Sequence, residues 1–185
     1  HYKALPQTES QFVLYSLLFA DNIFEKWLQN PVIVALSSYL LNNQAQLSSM
    51  SSFIKWKGRN YKDLMGLHAD TQPSANGLLP SQWVDACNSV YCLTDYTKDD
   101  GALAVVPESH KIARQPKHDD FNYQDIIPVE AEAGSLIFWH GNLWQVTDII
   151  HAKMKRVSES PFEMQLMVIS VNDWSIKMRQ KIMST

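Results

Sequence analysis

The run Gly66-Leu67-His68-Ala69-Asp70-Thr71-Gln72 has the residue types and spacing in this 185-residue chain that most directly allow chemistry. Residues two apart on an extended strand point to one side. His68 and Asp70 then present an imidazole nitrogen and a carboxylate oxygen together, enough to chelate one divalent metal. A distant histidine would complete the two-histidine, one-carboxylate facial triad, which holds Fe(II) on one side and leaves positions for a cosubstrate and dioxygen.

The elements that must hold this segment read as helices first and strands later. Thr8 and Gln11 are spaced as a capping box ahead of an apolar stretch from Phe12 to Phe19, which predicts a helix there. Asn30 followed by Pro31 reads as cap and first position of a second helix, running to about Leu41 with Val32, Ala35, Leu36 and Tyr39 as its apolar stripe. From residue 44 onward the chain turns to short β-rich runs, about 47–56, 64–70, 84–94, 103–106, 134–140 and 163–172, separated by Gly, Pro, Asp and Asn. No helical pattern alternates with them, so an antiparallel sandwich or jelly roll is expected, in an α+β, mainly β class. The polar stretch from Pro107 to Pro128 lacks periodicity and reads as a long functional loop, a lid over a site being one reading. One domain over 1–185 is expected, with 1–43 as a helical flank.

Composition closes off other classes. Hydrophobic residues are 45% and charged residues 19% of the chain, enough apolar material for a sizeable core. No apolar run approaches the roughly 18 residues a membrane span needs. The net charge of -3 and scattered basic residues leave no electrostatic footprint for nucleic acid. Cys87 and Cys92 fall on opposite faces of an expected strand, so no disulfide is expected and a reducing, cytoplasmic location is the default. The first residue is His1 rather than Met, which reads as loss of a native N-terminal segment.

Several further segments follow in order. They are Leu93-Thr94-Asp95-Tyr96-Thr97, the run Asp100-Gly101-Ala102-Leu103-Ala104-Val105-Val106-Pro107-Glu108-Ser109-His110, Arg114-Gln115-Pro116, and Ala133-Gly134-Ser135-Leu136-Ile137-Phe138-Trp139-His140-Gly141-Asn142-Leu143-Trp144. With the His68-Ala69-Asp70 element, over roughly residues 47 to 180, they resemble the phytanoyl-CoA dioxygenase family of Fe(II)- and 2-oxoglutarate-dependent oxygenases. The resemblance implies a double-stranded β-helix (jelly roll, cupin-like) core over 44–185 with flanking N-terminal helices and the metal inside the barrel mouth.

Carried onto this chain, the resemblance makes His68 and Asp70 the first two metal ligands. Where the family has its distal histidine, directly after the Asn-x-Trp-type stretch, this chain has Gln145, and the third ligand is open between Gln145, His140 and His151. The resemblance also implies a cation for the distal carboxylate of 2-oxoglutarate, because a guanidinium fork matches a carboxylate. Counting forward from Gln145 reaches Lys155 and Arg156, whereas counting back from Asn172-Asp173-Trp174 reaches Glu163 or Gln165. Arg156 is the candidate, Lys55 and Lys57 are the alternatives, and Thr71 is a supporting partner. Trp139, Trp144 and Asn142 are the candidate substrate pocket. The activity implied is Fe(II)/2-oxoglutarate-dependent oxidation of a small organic molecule by dioxygen. Gln145 keeps a second reading open, a divergent relative that binds a metabolite, or another metal such as zinc or nickel through His68, Asp70 and His140.

Overall fold

Strand β2 (Ala45–Lys55) pairs antiparallel with β8 (Met164–Asp173) along nearly its whole length, and this ladder is the spine of the larger sheet. The computed structural model describes residues 11–43, 45–55, 66–81, 83–98, 101–117, 120, 125–147 and 164–173. Five antiparallel strands make the larger sheet in the order β1 (Gln11–Leu14), β2, β8, β3 (Ala86–Cys92) and β6 (Leu136–His140). A smaller sheet has the order β5 (Ile127–Pro128), β4 (Leu103–Val105), β7 (Gln145–Thr147).

The sequence expectation fails at the start of the chain. The helix expected over 12–19 does not form: residues 11–14 are a strand whose Phe12 and Val13 lie opposite Ile54 and Phe53, and Leu17–Phe19 make only a 3-10 turn after Ser16 at φ 59°. β-Branched and aromatic residues with an apolar strand to pair with override a local cap pattern. Two helices follow, α1 (Ile23–Leu28) and α2 (Pro31–Leu40). In α2 the expected start holds: Pro31 occupies the first turn and the Asn30 side-chain oxygen accepts from the Val32 amide at 2.9 Å. Its buried face is the opposite of the expected stripe. Ile33 and Ser37 are buried, while Val32, Leu36 and Tyr39 are exposed.

Burial explains how β3 and β6 work. β3 is covered on both sides, and its side chains alternate between two cores. Cys87 and Tyr91 join Leu17, Ile33, Leu41 and Met50 under the helices, with Leu136 and Phe138 of β6. Val90 and Cys92 turn the other way, joining Tyr96, Leu103 of the smaller sheet and Trp139 in the space between the sheets. The two cysteines therefore sit in different cores as free thiols, and the Cys87 thiol donates to the Ser37 hydroxyl at 3.7 Å.

Gly141 locks the end of β6 to what lies above it. Its amide donates to the Ala86 carbonyl at 2.9 Å, and its own carbonyl accepts from the Thr71 amide at 3.0 Å. A Cβ here would lie 2.3 Å from the Ala86 oxygen and 2.7 Å from the Thr71 hydroxyl, so this close approach requires glycine.

Candidate metal centre

The 66–72 segment is not the strand expected over 64–70. Residues 56–65 lie outside the described part, and His68 makes a single antiparallel bridge with Gln145, the first residue of β7. The His68 amide donates to the Gln145 carbonyl at 3.0 Å, and the Gln145 amide returns the bond at 2.8 Å. Directly opposed residues in such a pair put their side chains on the same side. The backbone alone thus brings Gln145 to His68.

Asp70 is held by side chains from the larger sheet. Its Oδ2 accepts from the Asn88 amide at 2.7 Å and from the Trp139 indole at 2.9 Å, which leaves Oδ1 turned toward His68 and Gln145. The Asn88 and Trp139 positions follow from β-alternation, since both stand on the inner faces of β3 and β6. Gln115 replaces the strand that 69–71 lacks. Its side-chain oxygen accepts from the Ala69 amide at 2.9 Å, and its side-chain nitrogen donates to the carbonyls of Ala69 and Thr71 at 2.9 and 3.0 Å. The neighbouring Arg114 is anchored by an ion pair with Asp120, lies 5.5 Å over the Trp144 ring, and accepts the Trp144 indole at its carbonyl at 2.8 Å.

Three terminal atoms converge. His68 Nε2 lies 3.4 Å from Asp70 Oδ1, and Gln145 Nε2 lies 2.7 Å from the first and 3.1 Å from the second. Three ligands on one face of an octahedral metal are separated by about 3.0 Å, √2 times a bond of about 2.1 Å. The triangle has that size. His68 Nδ1 donates to the Gly66 carbonyl at 2.7 Å, the outer contact that orients metal-binding histidines, and 21% of each of the His68 and Asp70 side chains stays open. Among the described residues no cluster of three or more His, Cys, Asp or Glu forms, because the third corner is an amide.

The electrostatics fit a paired site. Burial alone would raise the Asp70 pKa, but the His68 ring beside it, which favours the carboxylate when protonated, and hydrogen bonds from Trp139 and Asn88 outweigh it and hold the carboxyl below its ordinary range. For His68, burial opposes the charge, while Asp70 and the Gly66 carbonyl carry the pKa above its ordinary value.

The other expected site residues fall elsewhere. His140 faces away from Asp70, because it follows Trp139 on β6. It stands on the outer side, 5.4 Å from the His110 ring, in a cavity of about 400 Å³ that Tyr39, Trp83 and Asn142 also line. It is therefore not a third corner beside His68 and Asp70. Burial and then His110 push its pKa down to about 4, and its Nδ1 accepts from the Asn142 amide at 3.0 Å. Asn142 is buried and donates to the Pro80 carbonyl at 2.7 Å, so it lies with this outer cavity and not beside Asp70. Trp144 is 1% exposed and packs with Ala69 and Leu79 as core under the site. Thr71 is wholly buried against Gly141, away from any open face. Trp139 reaches the site as a hydrogen-bond donor to Asp70. His151, Arg156 and Lys57 lie outside the described residues, as does the Lys55 side chain. Asn88 and Gln115 were missed by sequence reasoning, although Gln115 lies in the matched Arg114-Gln115-Pro116 segment.

The same fold is found in solved structures that hold nickel, iron or 2-oxoglutarate. HygX of Streptomyces hygroscopicus, solved with nickel and 2-oxoglutarate bound, superposes with a TM-score of 0.67 at 12% identity, over 93% of this chain and 74% of its own. EctD of S. alaskensis, solved with bound Fe, gives a TM-score of 0.63 at 15% identity, over 94% of this chain and 61% of its own. The chain belongs to the phytanoyl-CoA dioxygenase (PhyH) family, whose model matches residues 6–147. Dioxygenase af480 of Aspergillus fumigatus is 32% identical over 129 residues, 69% of this chain and 40% of that protein. An uncharacterised protein of Mycobacterium tuberculosis, Rv1501, is 26% identical over 136 residues, 71% of this chain and 48% of its own. The chain thus spans less than half the length of these curated relatives. Among the described residues no helix is long and apolar enough to cross a membrane.

Proposed function

We propose that this chain carries the site of an Fe(II)/2-oxoglutarate-dependent oxygenase acting on a small organic molecule. On this reading the two sheets are the halves of a double-stranded β-helix, and the site lies between them. One observation carries the reading: the triangle of 2.7, 3.1 and 3.4 Å between the terminal atoms of His68, Asp70 and Gln145, the size of one face of an octahedral metal. His68 Nε2, Asp70 Oδ1 and the Gln145 side-chain oxygen would hold the iron. When bound there, iron supplies the redox chemistry by which dioxygen and 2-oxoglutarate oxidise an unactivated C–H bond.

The chain's own residues do the rest. Asp70 brings the one formal negative charge of the three, and Asn88 and Trp139 fix its second oxygen so that the first keeps its direction. His68 is held in one ring orientation by Gly66. Gln115 keeps the backbone between the two ligands from sliding. Neighbours of the same fold, solved with bound Fe and with 2-oxoglutarate bound, support the metal and the cosubstrate. Arg156 or Lys57 is the proposed cation for its distal carboxylate, since the described Arg114 is committed to Asp120.

The test is anaerobic titration with Fe(II) and then 2-oxoglutarate, followed by the visible metal-to-ligand charge-transfer band. Appearance of the band is expected. Iron binding without a band removes 2-oxoglutarate from the reaction. No iron binding favours the second reading, a relative that binds a metabolite without this chemistry, which draws support from the neutral amide at the third corner.

A further inference from the structure

We infer that the Gln145 amide serves the metal site in two orientations, as a clamp that holds His68 and Asp70 ready when no metal is present and, after a half-turn of its end group, as the third ligand through Oε1. The inference rests on the oxygenase reading for the identity of the metal, but its chemistry comes from this chain alone.

The proton positions follow from the neighbours. The Gly66 carbonyl can only accept, so His68 Nδ1, 2.7 Å away, carries the hydrogen, and Nε2 of the neutral ring is a bare lone pair. Asp70 Oδ1 is an acceptor as well. A group lying 2.7 Å from one acceptor and 3.1 Å from the other must give a hydrogen to each, and the two hydrogens of the Gln145 amide nitrogen do so. The same two lone pairs are the ones a metal needs. The amide nitrogen has no lone pair to offer a cation, whereas its oxygen has two.

Loading therefore exchanges two hydrogen bonds for three metal bonds by rotating one terminal torsion, which is a broad and soft one. The backbone bridge between His68 and Gln145 keeps the amide at the same corner throughout, so no strand has to move. A histidine at this corner would offer its lone pair without any turn. Gln145 thus leaves the metal-free site well hydrogen-bonded and the metal more weakly held.

The experiment measures Zn(II) and anaerobic Fe(II) affinity by calorimetry for the wild type, Gln145→Met and Gln145→His, together with the Gln145 side-chain amide signals of the Zn(II) form by 15N NMR. We expect Gln145→Met to bind at least tenfold more weakly than the wild type and Gln145→His at least tenfold more tightly. The Gln145 amide protons should be protected in the metal-free protein and exchange faster with Zn(II) bound. Equal affinity of Gln145→Met and wild type, or amide protons unchanged by Zn(II), overturns the inference. So does metal binding by Gln145→His with none by the wild type. Where Gln145→Met does not fold, Gln145→Glu decides: its carboxylate keeps an oxygen for the metal but has no hydrogen to give, so Zn(II) affinity must rise and metal-free stability must fall, and an unchanged affinity overturns the inference. A turning amide without a 2-oxoglutarate band would defeat the oxygenase reading alone. A band in wild type and Gln145→Met at equal affinity would defeat the inference alone.

Discussion

Two neighbouring residues on β6 look into different worlds. Trp139 turns inward and donates to Asp70, while His140 turns outward to His110 and the cavity under α2. β3 divides the same way, with Asn88 inward on Asp70 and Cys87 outward on Ser37. The inner face assembles a charge and its donors. The outer face buries a neutral ring. The contrast extends to protons: His68 on the inner side has its pKa raised, and His140 on the outer side has its pKa lowered to about 4. Strand alternation turns His140 away from Asp70, while the bridge to Gln145 brings His68 to it.

The most severe way to break this division is at Gly141, where both faces meet. Gly141→Ala puts a Cβ against the Ala86 carbonyl and Thr71, and should cost about 3 kcal/mol of stability in denaturant unfolding, together with metal binding, because the segment after Asp70 must move. Next comes Asp70→Asn, which removes the charge of the site and should weaken Fe(II) binding about a hundredfold or more in a calorimetric titration, about 2.7 kcal/mol. Gln115→Leu deletes the three bonds that hold residues 69–71, and should weaken metal binding about tenfold to a hundredfold with little change in circular dichroism. Trp139→Phe keeps the ring and loses one donor to Asp70, with an expected loss of about tenfold.

The smallest effect separates the two histidines by pH. His140 in the unfolded chain takes a proton near 6.5, but the folded ring refuses it until about 4, so the stability it contributes is present above 6.5 and falls away as pH drops toward 4. His68 has the opposite sign, because its folded pKa is raised. Its contribution is present below 6.5 and is lost as pH rises through the folded value. His140→Gln should therefore gain relative stability in mild acid with metal affinity unchanged, and His68→Gln should lose it. Unfolding midpoints measured across that window would show whether the two curves separate in these directions.

Some of this was legible in the residues. β3, β4 and β6 fall within the expected runs, and β2 and β8 overlap theirs with ends displaced by one or two residues, because each carries its own β-branched and aromatic content, and Asn30-Pro31 marks a helix start by chemistry confined to three residues. His68 and Asp70 were found by spacing, yet the strand expected beneath them is a single bridge. Their convergence depends on Gln145, Asn88 and Gln115, which reach them from far along the chain. The stripe of α2 was misread because Val32, Leu36 and Tyr39 satisfy helical periodicity equally well outward, and only the neighbouring sheet determines that Ile33 and Ser37 go in. β1 was hidden for the same reason, its partner lying forty residues away in β2.

The bridge between His68 and Gln145 spans 77 positions, and the bond from Gln115 to Ala69 spans 46. Closing loops of that length costs entropy before any contact returns it, so such pairings form slowly and late. A nascent chain that has not yet delivered residue 145 holds only two corners of the triangle. Metal uptake would then act as a checkpoint on completed folding, since the last corner to arrive is the one that closes the site.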